Sequence, residues 1–437
     1  MASLIFYALA ILGLIRCLIT GLLYCKVPLT RQQKNQLAKV RQASWALSRQ
    51  PLPGFEHAFL SLETGRNRGR RLHYIHNRQN VPDRNAKSLI IFIHGFPDSC
   101  LMWRHLLNQY HPDDSDIVCV DLPGYGGSDS FDSYDVSVLD ALAEFCTSMR
   151  DLSKSPRVIL VAHDWGCTLA SRLLTEAPGV ADHYVLINGL FADLAIKNFK
   201  RHIKLLPTLL SHFRPLKACR VASLLIRQVW RLAYVCTFDL PELFLGYILG
   251  VWNDAAVLRG LMHIANRRNY DFNLVEALAA SLGPDVAMAT STSAGKVRYG
   301  STILHRATSS AALLWNMTGL YRNGVLRGQW TRPEVEITEP ASQAPATVIW
   351  GLSDHVMESE ICLDGLADSG FLAPGSEVIT LPRAGHWVPL ETECIPVLCD
   401  VLQHLTETPV SSSGRSDRLD EQVLRQRYRG ARIVSRT

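Results

Sequence analysis

The chain has 437 residues, a formal net charge of +5 and 47% hydrophobic residues, so it can bury a large core and is not a disordered polypeptide. Most of the excess charge lies after residue 408, where seven arginines stand against three acidic residues, and the near-neutral remainder argues against a nucleic-acid partner. The eleven cysteines follow no CxxC or metal-type spacing, so we expect buried free thiols, a reducing compartment and no metal.

Residues 3–25 form an apolar run that is long enough to cross a bilayer and contains one charge, Arg16. That charge counts against a span, because it costs about 2.5 to 3.5 kcal/mol near the bilayer centre. A signal peptide is the alternative, but no basic segment precedes the run and no A-x-A site follows it. Lys26 and further cations come directly after it, so the positive-inside rule predicts a single-pass anchor with the catalytic part in the cytosol.

The next segments predict a hairpin and then a parallel sheet. Residues 55–62 and 72–75 alternate between apolar and polar, which indicates two antiparallel strands. Continuous apolar runs separated by helix-length segments follow, and buried parallel strands have this appearance. These runs are residues 88–93, 116–120, 158–161 and 184–187, and residues 139–149 and 167–174 can form crossover helices.

From residue 191 to about 328 the alternation stops, and apolar residues recur every three or four positions, which predicts an inserted helical cap. Within it, residues 283–301 are rich in Ser, Thr and Gly and predict a loop. Strands then resume at 346–350 and 377–381, before a last helix at 392–405. The predicted domains are an anchor with its flank (1–28), a linker (29–54), a mostly parallel α/β core in two parts (55–190 and 329–408), the cap (191–328) and a basic, disordered tail (409–437).

The strand from Val158 runs straight into a turn with Asp164 at its apex, between the small residues Ala162 and Gly166. A nucleophile elbow has this pattern, because the strained turn and the close passage of the next helix require small flanking residues. A carboxylate at the apex attacks an electrophilic sp³ carbon and forms an alkyl-enzyme ester. An aspartate that caps a helix is the alternative interpretation.

A second apolar strand ends in His94, Gly95, Phe96 and Pro97, which indicates a loop held close to the elbow. The N–H groups of Phe96 and of Trp165, the residue after Asp164, are the candidate oxyanion hole. A simple strand-end turn is the alternative.

An ester intermediate needs a base for its hydrolysis. His386 follows a late strand, and Asp354 follows the strand before it, so the two are predicted as the base and its orienting acid. His355 and Asp364 are nearby alternatives to Asp354.

With these residues the chain resembles the α/β-hydrolase-fold epoxide hydrolases, which pair an HGxP loop with an Asp-Trp elbow and carry two tyrosines on a helical cap. The resemblance covers residues 55–406, and residues 121–128 are similar to a family loop. The N-terminal run is similar to that of the membrane-anchored branch, which includes epoxide hydrolases 3 and 4.

The resemblance implies that Tyr234 and Tyr321 donate protons to the epoxide oxygen, because each lies in a segment similar to a family tyrosine motif. The motifs depart from the family pattern at Ala162, Thr237 and Leu320, which bears on the shape of the pocket rather than on the reacting groups.

The expected reaction converts a lipophilic small-molecule epoxide to a vicinal diol, without a cofactor, in lipid metabolism or detoxification. A haloalkane or haloacid dehalogenase with the same nucleophile is one alternative, and a catalytically silent membrane-tethered binding protein is another. The endoplasmic reticulum is a candidate membrane. The sequence leaves the oligomeric state, the exact epoxide, the regiochemistry and the role of the basic tail open.

Overall fold

A sheet, nine-stranded over the residues that the structure describes, forms the centre of the fold. The computed structural model describes residues 11–13, 15–16, 19, 29–78, 86–238, 258, 273–290, 298–305, 312–322, 344–366, 372–407 and 419–435. The strands are β1 (Glu56–Ser61), β2 (Arg71–His76), β3 (Ser88–Ile93), β4 (Ser115–Val120), β5 (Val158–His163), β6 (His183–Ile187), β7 (Ala346–Gly351), β8 (Glu377–Leu381) and β9 (Arg432–Ser435).

The strand order is β1-β2-β4-β3-β5-β6-β7-β8-β9, and the central strands from β4 to β8 are parallel to one another. The predicted hairpin is confirmed, since β1 and β2 pair antiparallel. Every residue of β3, β4, β5, β6 and β7 is buried, as expected for strands covered on both faces. The mostly parallel sheet is therefore confirmed, and its carboxyl edge is where side chains from several strands meet.

Helices cover the sheet and supply the inserted segment between β6 and β7. Those outside that segment are α1 (Arg31–Trp45), α2 (Arg104–Leu107), α3 (Ser137–Ser153), α4 (Trp165–Glu176), α12 (Ser359–Cys362), α13 (Ile395–Glu407) and α14 (Glu421–Arg427). Those within it are α5 (Ala192–Ser211), α6 (Pro215–Thr237), α7 (Leu274–Leu282), α8 (Val286–Thr290), α9 (Ser301–His305), α10 (Ala312–Met317) and α11 (Gly319–Arg322). Helix α8 and the start of α9 lie in the stretch predicted as a loop, whereas residues 291–297 lie outside the described ones.

The segment predicted as a linker contains helix α1, which begins with a capping box between Thr30 and Gln33. The helix packs against α7, where the Trp45 indole donates a 2.9 Å hydrogen bond to the carbonyl of Ala279. Trp45 is fully buried, so this part of the chain joins the folded domain.

The prediction of a disordered tail is wrong for residues 419–435. Helix α14 buries Leu424, and β9 pairs antiparallel with β8 at the edge of the sheet. The buried side chains of Tyr428 and Ala431 hold this segment against the core. Burial of these few apolar groups, together with the edge pairing, offsets the entropy lost by a sequence that is otherwise rich in arginine.

Most of the predicted anchor, residues 3–25, lies outside the described residues. Residues 11–13, 15–16 and 19 are helical. In the portion of the chain that the structure describes, no helix has both the length and the apolar character that a membrane span needs.

Candidate active site

Asp164 lies at the turn between β5 and α4, with a φ of 53° and a ψ of −117°, a conformation that is strained for a residue other than glycine. A Cβ atom on Gly166 would lie 2.5 Å from the carbonyl oxygen of Ile93, so α4 can pass this close to β3 only with glycine there. The Asp164 side chain makes no capping hydrogen bond to α4. The predicted sharp turn is therefore present, and the alternative of a helix-capping aspartate does not hold.

The loop after β3 brings a backbone donor to Asp164. The N–H of Phe96 donates a 2.8 Å hydrogen bond to Asp164 Oδ1. Gly95 is required here, because a Cβ atom on it would lie 2.4 Å from the same oxygen. His94 is fully buried, with Nδ1 2.8 Å from the Gly95 carbonyl and Nε2 accepting from the N–H of Leu122 at 3.0 Å. These two contacts assign the neutral imidazole with its proton on Nδ1, which fixes the shape of the loop.

His386, in the turn after β8, lies between the two predicted carboxylates. Its Nδ1 is 2.8 Å from Asp354 Oδ2, and its Nε2 is 3.4 Å from Asp164 Oδ2. Both His386 and Asp354 are almost fully buried. The structure thus brings the predicted nucleophile, base and orienting acid together at the carboxyl edge of the sheet.

The electrostatic interactions among Asp164, Asp354 and His386 determine which of these three groups is protonated. Burial would raise the pKa of Asp164, but the hydrogen bond and charge of His386 lower it below its ordinary value. Asp354 follows the same pattern, with a lowered pKa despite its burial. Burial would lower the pKa of His386, yet the charge of Asp354 and the contact with Asp164 raise it to about 10. In the free protein an imidazolium therefore lies between two carboxylates.

The two alternatives to Asp354 lie elsewhere. Asp364 is half exposed and forms an ion pair with Arg201 on α5. His355 lines the cavity beside Asp164. Of the three candidates, Asp354 contacts the His386 ring.

Asn188, a residue that the sequence interpretation missed, holds Asp354 in place. It follows β6 with a φ of 40°, and its Nδ2 donates a 2.8 Å hydrogen bond to Asp354 Oδ2. Its Oδ1 accepts from the N–H of Gly351 at 3.0 Å. The other carboxylate oxygen of Asp354 accepts from the N–H groups of Val356 and Met357, at 2.6 and 3.0 Å. The available signal was an Asn-Gly pair directly after a buried strand.

Glu391 is a second missed residue. Its Oε1 accepts a 2.7 Å hydrogen bond from the N–H of Gly385, the residue before His386. The side chain is buried, and this burial raises its pKa to about 7. A titratable carboxyl group therefore supports the turn that carries His386.

Two tyrosines come from the helices opposite. Tyr234 lies on α6 and Tyr321 on α11, with ring centroids 6.3 Å apart. Burial raises the pKa of both phenols, so both carry their protons at neutral pH. The Tyr321 ring packs edge-on against Phe96 and Trp165, with centroids 5.3 and 4.9 Å away. The fold therefore brings the two predicted proton donors to the same place as the predicted nucleophile.

One cavity joins these groups, with an empty volume of about 450 Å³ that includes the solvent at its mouth. Its lining combines the reacting groups with mainly apolar and aromatic neighbours and two arginines. The lining residues are Arg16, Phe96, Pro97, Asp164, Arg231, Tyr234, Tyr321, His355, Val356, His386 and Trp387.

Arg16 lines the same cavity from the N-terminal segment. Its Nη1 donates to the carbonyls of Trp230 and Arg231 on α6, the second at 2.5 Å. Arg231 is also held, because its Nη1 lies 3.0 Å from the Asp354 carbonyl and 3.2 Å from Glu358. The one charge of the predicted anchor is thus buried against the inserted helices.

Among the described residues, the side chains spaced for metal binding are His73, Cys100 and Asp121, and none of them lines the cavity. Asp121 already accepts hydrogen bonds from the Cys100 and Gly127 N–H groups at 2.6 and 2.8 Å. Its pKa falls to about 2 because His73, 2.7 Å away, and His94 outweigh the effect of burial. This cluster supports the loop after β4.

Comparison with known proteins shows which families and relatives this chain is similar to. Residues 88–393 match the family model described as the alpha/beta hydrolase fold. Mouse epoxide hydrolase 3 is 30% identical over 182 residues, which cover 39% of this chain and 47% of that protein. Mouse epoxide hydrolase 4 is 28% identical over 134 residues, which cover 31% of this chain and 36% of that protein. The chain therefore spans less than half the length of these curated relatives.

Solved structures share the architecture. A crystal structure of an epoxide hydrolase from Bacillus megaterium aligns over 79% of this chain and 100% of that one, with a TM-score of 0.52 and 20% identity. An epoxide hydrolase from Vigna radiata aligns over 81% of this chain and 98% of that one, with a TM-score of 0.51 and 18% identity. At these identities the likeness shows the fold alone.

Proposed function

The chain belongs to the alpha/beta hydrolase fold family, and from this premise we propose that it hydrolyses an epoxide to a vicinal diol through a covalent ester on Asp164. One observation carries the proposal: a cavity in which the Asp164 carboxylate and His386 lie together with two protonated phenols. The names of the curated relatives support the same reaction.

In the first step, Asp164 attacks one epoxide carbon, and the carbon–oxygen bond breaks as the ester bond forms. The epoxide oxygen takes the charge of the leaving alkoxide and needs a proton. Tyr234 and Tyr321 hydrogen-bond to this oxygen, and one of them transfers its proton to it. The product of the step is a hydroxyalkyl ester and a tyrosinate.

In the second step, His386 takes a proton from water, and the resulting hydroxide attacks the ester carbonyl carbon of Asp164. The tetrahedral oxyanion is stabilised by the N–H groups of Phe96 and Trp165, a type of contact worth about 10²–10³ in rate for each donor. Collapse of the intermediate releases the diol and restores the Asp164 carboxylate. His386 keeps the proton that it took from water, so the imidazolium of the free protein is restored.

The contact between His386 and Asp164 explains why the two steps of the reaction occur in this order. While Asp164 is ionised, its negative charge helps to hold the pKa of His386 near 10, so the imidazole is protonated and cannot act as a base. Ester formation removes that charge and lowers the pKa of His386, and the imidazolium gives its proton to the tyrosinate formed in the first step. The base therefore becomes available only after the nucleophile has reacted.

A single turnover in ¹⁸O-water tests the covalent route. With excess protein over styrene oxide or a fatty-acid epoxide, we expect the label in the Asp164 carboxylate, read as a 2 Da increase of its peptide, and unlabelled diol. Label that passes directly into the diol contradicts a covalent ester. Absence of both diol and trapped ester with every epoxide supports the silent binding protein instead.

A dehalogenase uses the same nucleophile on an sp³ carbon, and the indole of Trp165 beside Asp164 is the kind of N–H donor that a halide ion needs. That indole, however, packs edge-on against Tyr321, with ring centroids 4.9 Å apart. We expect the double substitution Tyr234→Phe and Tyr321→Phe to lower epoxide opening by at least about 10², the range of general acid catalysis. Release of halide from haloalkanes that survives this double substitution supports the dehalogenase.

We also propose a lipophilic substrate and a membrane location. The lining contributed by Phe96, Val356 and Trp387 suits an apolar epoxide. The uncharged stretches on either side of Arg16 support an anchor in residues 3–25, with the catalytic part on the cytosolic side. Extraction of cell membranes with alkaline carbonate tests this, because an anchored chain stays in the pellet and a chain lacking residues 1–28 is released.

A further inference from the structure

Helices α5 and α6 and the turn between them, residues 192–237, form an antiparallel pair that we call the cap hairpin. Its tip exposes large apolar side chains. Phe213 is 93% exposed, Leu216 is 86% exposed and Leu210 is 60% exposed. Fully exposed side chains of this size are unusual when they lie side by side on one projecting element.

The exposed apolar residues continue along both helices in register with the helical repeat. On α5, Ile196, Ile203 and Leu210 recur every seven residues and form one stripe. On α6, Ile226 and Trp230 follow, 68% and 41% exposed. The stripe on α5 is about 20 Å long at 1.5 Å per residue, so the apolar surface is extended rather than confined to the tip.

This distribution is specific to one part of the molecule. Of the fifteen large apolar side chains that are exposed in the described residues, eight belong to the cap hairpin and three to the N-terminal segment. Those three, Ile11, Ile15 and Ile19, share one face of a helix by their four-residue spacing. Arg16 from that segment contacts Trp230 of α6, so the two apolar surfaces are neighbours.

The backbone conformation at the tip supports contact of the Phe213 ring with a partner rather than with the rest of the chain. Phe213 has a φ of 53°, the left-handed conformation in which a helix normally ends with glycine. The Arg214 N–H closes the end of the helix on the Leu209 carbonyl at 2.9 Å. A phenylalanine at this position has an unfavourable backbone conformation, and its ring packs almost nowhere within the chain. Burial against a partner would compensate for both.

The cap hairpin is also strongly basic. It contains nine lysines and arginines and one acidic residue, Asp193. Four of the cations pair with acidic residues of the described chain: Arg201 with Asp364, Arg220 with Glu360, and both Arg227 and Arg231 with Glu358. For the other five, no ion pair is found among the described residues; these are Lys197, Lys200, Lys204, Arg214 and Lys217.

We propose that the cap hairpin docks on an anionic lipid bilayer, with Leu210, Phe213 and Leu216 inserted among the acyl chains and the lysines at the headgroups. Apolar stripes flanked by cations on helices are typical of segments that lie in a membrane interface. Each lysine or arginine near such a surface contributes attraction to phosphatidylserine-type headgroups that salt screens. The proposal is independent of the chemistry at Asp164.

The docking of the cap hairpin on a bilayer determines where the cavity lies relative to the membrane. Helix α6 carries Leu216 near its start and Tyr234 near its end, so one rigid element runs from the membrane contact to the cavity wall. Trp230 lies one turn before Tyr234. Docking of the tip therefore places the cavity at the far end of α6, about 27 Å along the helix from Leu216.

Hydrogen–deuterium exchange of the full-length protein tests the contact segment by segment. We expect residues 205–220 to exchange at least about fivefold more slowly when vesicles of phosphatidylcholine with 30% phosphatidylserine are added. Pure phosphatidylcholine vesicles are expected to give weaker protection, and so are anionic vesicles in 0.5 M salt. The peptides of the N-terminal segment are read separately, so protection of an anchor is distinguished from protection of the tip.

The matched variants are Phe213→Glu with Leu216→Glu, and, as a control, Leu152→Glu, a 49% exposed leucine on α3. With anionic vesicles, residues 205–220 of the tip variant are expected to lose most of the fivefold protection, whereas in the control they keep it. Circular dichroism melting confirms that both variants fold. Unprotected tip peptides in wild type, or tip peptides that stay protected in the tip variant, overturn the proposal. Protection of the tip without vesicles, accompanied by a dimeric mass or an acidic protein partner, overturns it as well.

Discussion

Asp164 Oδ2 and His386 Nε2 lie 3.4 Å apart, longer than a good hydrogen bond, across the cavity floor. This separation brings the imidazole next to the carboxylate without directing it at a substrate carbon. In the proposed reaction His386 therefore takes no part in the opening of the epoxide, and its work begins with the ester. Substitutions of Asp164 and of His386 should therefore block different steps of the reaction.

We expect His386→Gln to form the ester and not to hydrolyse it. Steady-state turnover should fall by about three orders of magnitude or more, in line with the loss of a member of a catalytic triad. The peptide that contains Asp164 should gain the mass of one epoxide. Asp164→Ala is the control and should give neither turnover nor adduct; an unmodified peptide in His386→Gln would contradict the division of roles.

Asp354→Asn should lower turnover by about 10²–10⁴, because the amide cannot stabilise the imidazolium and favours the wrong tautomer of His386. Asp364→Asn is the matched control, since Asp364 is half exposed and paired with Arg201. That variant should keep turnover within twofold of wild type. Equal losses in the two variants would assign the effect to folding rather than to the contact with His386.

The pKa of His386 predicts a pH dependence of stability. The folded pKa is raised to about 10, above the value of about 6.5 in an unfolded chain. The stabilisation that protonated His386 contributes is therefore complete below about pH 6.5 and is lost as the pH rises through 10. The difference in melting temperature between wild type and His386→Gln should shrink from pH 6 to pH 10. A difference that grows from pH 6 to pH 10 would contradict the assigned charge.

The central strands could be predicted from the sequence because parallel strands buried on both faces are continuous apolar runs, and this pattern depends on no other part of the chain. Strand β9 could not be predicted in this way. Its four residues lie among arginines, and they become a strand only because β8 offers an open edge. Helix α1 buries little more than Leu37 and Trp45, so its only local signal was the capping box at Thr30.

The residues of the site show the same difference between what the sequence can predict and what it cannot. Asp164, His386 and Asp354 each stand directly after a strand of the parallel sheet, so the order of elements was enough to bring them together. Asn188 acts on a carboxylate that lies 166 residues away in the sequence, and Glu391 acts on the N–H of a turn six residues before it. The Asn-Gly pair after β6 marks a turn but not its contact with Asp354, and neither contact follows from the order of the strands.

Glu391 supports the turn that carries His386 by accepting one hydrogen bond from the Gly385 N–H. Its pKa of about 7 means that the carboxyl group titrates near neutral pH. Glu391→Gln keeps an oxygen acceptor and loses the titration, so the ester-hydrolysis rate should lose its pH step near 7. Glu391→Ala leaves the buried N–H without its partner, which costs about 1–3 kcal/mol and should lower that rate about tenfold. Glu393→Gln, exposed and two residues away, should keep the pH step and move it to lower pH, because the charge of Glu393 helps to raise the pKa of Glu391. If Glu391→Gln retained the step, the titration would belong to another group.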